Sequence, residues 1–80
     1  EVGMSKKLSN VNINECSIGD ICWMVLKQFN KPVRGEISSV SKTQEVIQIR
    51  TYNHGFRLAP CTHCFWKEED AKAFKKKNKN

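Results

Sequence analysis

No stretch of the chain approaches the ~18 consecutive apolar residues that a membrane-spanning helix requires. The first residues also lack the apolar core of a secretory signal, so the protein is expected to be soluble and cytoplasmic, with no membrane partner. Glycine and proline fill only six of 80 positions, which excludes collagenous and linker-like architectures. Acid is scarce as well: eight Asp and Glu stand against fourteen Lys and Arg, for a net charge of +6. With 80 residues and 9.2 kDa, the interior suffices for one core and excludes enzymes of ordinary build. What is present, 39% hydrophobic and 28% charged residues, is a globular composition.

A sequence pI near 9.4 favours a polyanionic partner such as nucleic acid. The excess is split evenly. Residues 16–66 carry six basic and three acidic groups, and residues 67–80 carry six Lys against Glu68, Glu69 and Asp70. The end cluster Lys75, Lys76, Lys77 and Lys79 reads either as a phosphate-binding arm or as a solubilising tail.

Residues 1–14 are polar and aperiodic and read as a flexible segment, with Met4 as a candidate native start and order beginning near Ile13. Residues 18–26 are mostly apolar, with β-branched and aromatic members behind the Gly19-Asp20 turn signal, and predict a strand. Asn30-Lys31-Pro32 ends it in a loop. Residues 33–40 alternate Val33, Gly35 and Ile37 against Arg34, Glu36 and Ser38, the period of a half-buried strand, and Gly35 suggests a bend or bulge. Residues 45–52 alternate again, Ile47 and Ile49 against Gln48, Arg50 and Tyr52. After the Asn53-His54-Gly55 turn, Phe56 and Leu58 share one face of a fourth strand. Residues 64–66 form a short closing strand. Residues 67–77 predict the one helix, with acid at its start and Lys at its end to suit the macrodipole. Its apolar stripe of Ala71 and Phe74 is too small to hold it free in water, so it must dock on the sheet, near Trp66. The chain is therefore mainly β: a small antiparallel barrel of four to five strands with a short C-terminal helix, residues 15–74 as barrel plus helix and 75–80 as a Lys-rich tail.

Ile18-Gly19-Asp20 leading into Cys22-Trp23, then Val33-Arg34-Gly35-Glu36-Ile37, then the run from Cys64 through Phe65-Trp66-Lys67-Glu68-Glu69-Asp70 to Ala71 resemble small bacterial and phage SH3-like barrel proteins. The resemblance covers residues 18–74. Lys67 stands where such proteins carry a helix-capping Thr or Ser, so the first free N–H groups lack a side-chain acceptor. The resemblance implies a fold and a binding role; the wider class includes Tudor and KOW domains, whose ligands range from methylated side chains to RNA.

Four cysteines, Cys16, Cys22, Cys61 and Cys64, raise three chemistries. Without a signal for export they are expected reduced. A tetrahedral zinc site would use Cys61-x-x-Cys64 with Cys16 and Cys22, yet five residues separate the second pair and Cys22 falls within a strand, so no metal or other cofactor is expected. Thioredoxin-like chemistry needs the motif ahead of a helix, which Pro60 and a hairpin do not provide. A nucleophilic pair of Cys61 or Cys64 with His54 or His63 lacks a readable third group or oxyanion hole, so the chain reads as non-enzymatic, with no small-molecule substrate.

The seven aromatic residues exceed what so small a barrel encloses. Tyr52 beside Arg50, with Arg34 and Arg57 at outward positions of neighbouring strands, would form a basic and aromatic sheet face able to stack bases and hold phosphate. Arg50 has an alternative use in pairing with Glu36. The first expected function is a nucleic-acid-binding module, for RNA or DNA, using Arg34, Arg50, Tyr52 and Arg57 with Lys75, Lys76 and Lys77. The alternative is a protein-interaction module, such as a phage-encoded inhibitor or regulator of a host protein, anchored by Trp23, Phe29 or Trp66.

Overall fold

The structure, a computed structural model, describes residues 8–77. Four strands follow one another, β1 (Ile21–Met24), β2 (Val33–Ser41), β3 (Val46–Thr51) and β4 (Phe56–Pro60). A 3₁₀ turn (Cys61–His63) then leads into β5 (Cys64–Phe65), and α1 (Glu68–Lys77) closes the order. The strands make one antiparallel sheet in the order β4-β3-β2-β1-β5, curled into a half-barrel with α1 against β1 and β5. The expected mainly β fold with one C-terminal helix is thus observed. No helix among the described residues is long and apolar enough to cross a membrane.

The alternation read from residues 33–37 and 47–51 governs the core. Cys22, Met24, Ile37, Ile47, Ile49, Ala59 and Cys64 line the inner face. Phe65 is equally buried but faces the other way, opposite Trp23, where the Phe74 ring lies 5.1 Å from its own. The helix accordingly docks on Phe65 and β1, while Trp66 stays partly exposed. Lys75, Lys76 and Lys77, expected at the end of the helix and also counted in the Lys-rich tail, form the last turn of α1, because the acid-to-base ordering supports the helix to that point. Residues 78–80 lie outside the described chain.

Three expectations change. The bend anticipated at Gly35 falls three residues later, where the β2–β3 register shifts between Ile37 and Ser39 and Ser38 Oγ donates to the Gln48 carbonyl at 3.1 Å. Gly35 serves close approach instead: a Cβ there would lie 2.2 Å from Ile49 Cγ2 and 2.8 Å from the Arg50 carbonyl oxygen. Order also begins before Ile13. Asn10 bridges Phe65, Val11 N–H donates to the Cys64 carbonyl, and the Trp66 N–H donates to the Ser9 carbonyl. Asp70 accepts from the Ser9 N–H at 3.0 Å and its hydroxyl at 2.6 Å. Residues 8–14 are therefore packed chain, not a flexible arm; residues 1–7 of that expected arm lie outside the described residues.

The third change concerns β4. Thr51 accepts and donates around the following turn: its N–H and hydroxyl both donate to the Gly55 carbonyl, at 3.0 and 2.7 Å, and its Oγ1 accepts the His54 N–H. This closure sets Arg57 opposite Ile49 and Phe56 opposite Arg50. Arg57 therefore lies on the inner face, and Phe56 and Leu58 point outward at 59% and 66% exposure.

Candidate functional site

The β1–β2 and β3–β4 connections, residues 25–32 and 52–55, meet across a cleft. Residues 25–32 leave β1 with the Val25 N–H donating to the His63 carbonyl, and the segment turns on itself where the Phe29 N–H donates to the Leu26 carbonyl. Pro32 then fixes the chain for entry into β2. Residues 52–55 are held by the Thr51 closure described above, with Gly55 at φ 69°. Between these connections is a cavity of about 590 Å³, bounded by residues 28–34 on one side and 52–54 on the other.

Its wall chemistry is uniform in sign. Phe29, Tyr52 and His54 supply rings, Lys31 and Arg34 supply cations, and no Asp or Glu lines it. The Phe29 and His54 ring centroids are 4.4 Å apart with a 42° tilt. The Arg34 guanidinium lies 5.6 Å from the Tyr52 ring centroid, and that of Arg57 lies 5.4 Å from the Phe29 centroid. Both are cation–π distances. Arg57 Nε is buried without a hydrogen-bond partner, which leaves a positive donor against the ring that forms the cleft wall.

The residues expected to share one sheet face are thus divided. Arg34 and Tyr52 sit together at the cleft. Arg50 is outward on the same side of the sheet but engages Glu36 at 3.2 Å in an exposed pair. Arg57 is excluded from that face by its register with Ile49, so a face of three arginines does not form. Lys75 donates from Nζ to the Phe29 carbonyl at 3.0 Å, and Lys76 and Lys77 are exposed on α1. Of the expected protein anchors, Phe29 enters the cleft wall, Trp23 is half-buried opposite Arg34 and Phe65, and Trp66 precedes α1.

Phe29, His54 and Lys31 were not in the expected nucleic-acid set because they come from connections, where strand periodicity is silent. A signal does exist: residues 27–34 carry Lys27, Lys31 and Arg34, residues 50–57 carry Arg50 and Arg57, and neither stretch contains an acidic residue.

The cysteines lie elsewhere. Cys22, Cys61 and Cys64 belong to the core and Cys16 packs against it, all as free thiols. The hydrogen bond between the Cys22 and Cys64 thiols, with burial, pushes the Cys64 thiol well above its usual range, and burial raises Cys16. No three His, Cys, Asp or Glu side chains among the described residues are arranged to hold a metal ion. His63 packs edge-on to Phe74 at 5.3 Å. No protein-family model, curated protein or solved structure matches this chain.

Proposed function

We propose that the protein is a non-catalytic module that binds single-stranded nucleic acid in the cleft between residues 28–34 and 52–54. The observation that carries this reading is the lining: three rings, two cations and no carboxylate. Unpaired bases stack on aromatic and guanidinium planes, and phosphates pair with Lys and Arg. The half-barrel is read as SH3-like, supported by β5 returning beside β1 through a 3₁₀ turn. Within that class a cage for a methylated cation would also use aromatic rings. Here Arg34 and Arg57 already stand over Tyr52 and Phe29, and a ligand cation would meet like charge with no carboxylate to offset it. An anionic ligand with flat faces fits the same walls.

The test is fluorescence anisotropy with labelled single-stranded RNA and DNA at low salt. Tyr52 is 71% exposed, so Tyr52→Ala leaves folding intact while weakening binding about 5- to 150-fold, the value of one stacked base. Arg34→Ala weakens binding and lowers the salt slope by about 0.7, the share of one single-strand phosphate contact. Absence of binding to every single-stranded probe refutes the proposal.

A second reading has its own observation. β4 is an edge strand, and the Thr51–Gly55 and Cys61–Glu45 hydrogen bonds set the register so that the Phe56 and Leu58 backbone groups face away from β3. With both side chains exposed, this edge suits addition of an extended peptide strand from a partner protein. Such binding would respond weakly to salt, whereas binding in the cleft would fall steeply.

A further inference from the structure

The cleft does not end at its own rim. A second cavity of about 430 Å³ adjoins it, and Asn30, Lys31 and Pro32 are walls of both. Beyond that shared ridge the wall chemistry changes. The second cavity has no aromatic ring among its walls and is lined by four lysines, Lys31, Lys72, Lys75 and Lys76, against the single acid Glu68. The two cavities are also joined mechanically, since Lys75 Nζ donates to the Phe29 carbonyl at 3.0 Å and so ties α1 to the connection that carries the cleft's ring.

Resting on the cleft reading above, we propose that the bound strand crosses the Asn30–Pro32 ridge into this lysine groove, with stacked bases in the cleft and sugar-phosphate backbone along α1. The division follows from the side chains. Rings and guanidinium planes read base faces, while ammonium groups act as point charges toward phosphate without reading sequence. Glu68 does not close the groove to an anion. Its pairing with Lys72 at 3.5 Å is an exposed i,i+4 contact, weak enough to open when a phosphate takes the lysine. Lys31 and Lys76 make no ion pair among the described residues. Lys75 is a positioning residue: one of its ammonium donors holds the Phe29 carbonyl, so the groove keeps its place relative to the cleft. Small barrel modules occupy about 4 to 16 nucleotides of single strand, so oligomers of up to eight cover the short end of that range.

The experiment is an anisotropy titration of the full chain with labelled oligouridylates of two, four, six and eight nucleotides, repeated with the double variant Lys72→Ala/Lys76→Ala. Both lysines are exposed on α1, and circular dichroism checks that the variant keeps the parent fold. The expected result is affinity that climbs with length up to the filled path, a salt slope for the eight-mer lowered by about 1.4 in the variant, about 0.7 per lost contact, and no change for the dinucleotide. If the eight-mer and dinucleotide bind the parent equally, or the variant binds the eight-mer with unchanged affinity and salt slope, the path is wrong while the cleft stands. If no length binds the parent at low salt, the cleft reading falls and the path with it.

Discussion

Replacing Gly35 by alanine tests how the half-barrel closes over its core. In an ordinary strand this substitution is favourable, because alanine restricts the unfolded chain and gains about 0.4 to 1 kcal/mol. At Gly35 the new Cβ would sit 2.2 Å from Ile49 Cγ2, about 1.3 Å inside the shortest comfortable carbon–carbon separation. Ile49 is fully buried and β-branched, so it has no low-energy rotation to a vacant space. The second contact, 2.8 Å to the Arg50 carbonyl oxygen, is with backbone and is relieved only by spreading β2 from β3. Overpacking of this kind costs about 1 to 3 kcal/mol, and two simultaneous contacts place Gly35→Ala at about 3 kcal/mol. For a domain of this size that lowers Tm by about 12 to 24 °C. Gly55→Ala is the internal comparison. It has open space around its Cβ but a φ of 69°, so only the left-handed backbone cost of about 1 to 2 kcal/mol applies. Thermal unfolding followed by circular dichroism reads both. A Gly35→Ala protein melting within about 3 °C of the parent, or melting above Gly55→Ala, would refute the close approach of β2 and β3.

Ser9→Ala removes both side-chain donation to the 3%-exposed Asp70 and part of the tie between residues 8–14 and α1; urea unfolding should show a loss of about 1 to 3 kcal/mol, with faster amide exchange at Val11 and Trp66, and unchanged exchange there would contradict the clamp. Stability should also fall in alkali. The folded state holds the Cys64 proton, its thiol raised by the Cys22 hydrogen bond and burial, whereas the unfolded thiol loses its proton near pH ~8.5. The folded state thus binds more protons above that pH, and stability, level below it, declines by about 1.4 kcal/mol per pH unit for this one group. Cys64→Ala should flatten the decline between pH 9 and 10.5; an equally steep fall in the variant would assign it to other groups.

Much of the fold is legible in the sequence because β2, β3 and α1 are patterned by one rule each: period two with one dry face, or opposite charge at the two helix ends. β4 shows where such reading stops. In Phe56-Arg57-Leu58 the apolar pair looks like the buried face, but facing is decided by register, and register is decided by the Thr51–Gly55 closure, which no hydrophobic pattern encodes. The packing of residues 8–14 is not legible for a similar reason: Val11 and Ile13 are buried in a segment joined to the sheet by isolated backbone bonds and a single bridge, with too few residues to show a period. At the cleft, Arg34 and Tyr52 were readable as an outward pair from strand alternation. Phe29 and His54 were not, since two connections distant in sequence meet only after the sheet folds.

The most direct test of a single-strand-binding cleft is amide chemical-shift mapping of the isotope-labelled protein titrated with a short oligouridylate at low salt. Binding in the cleft predicts the largest changes within residues 28–34 and 52–54, saturating together, with the midpoint about 5- to 150-fold higher in Tyr52→Ala. Changes centred on β4, or none at all at millimolar oligonucleotide, would contradict it.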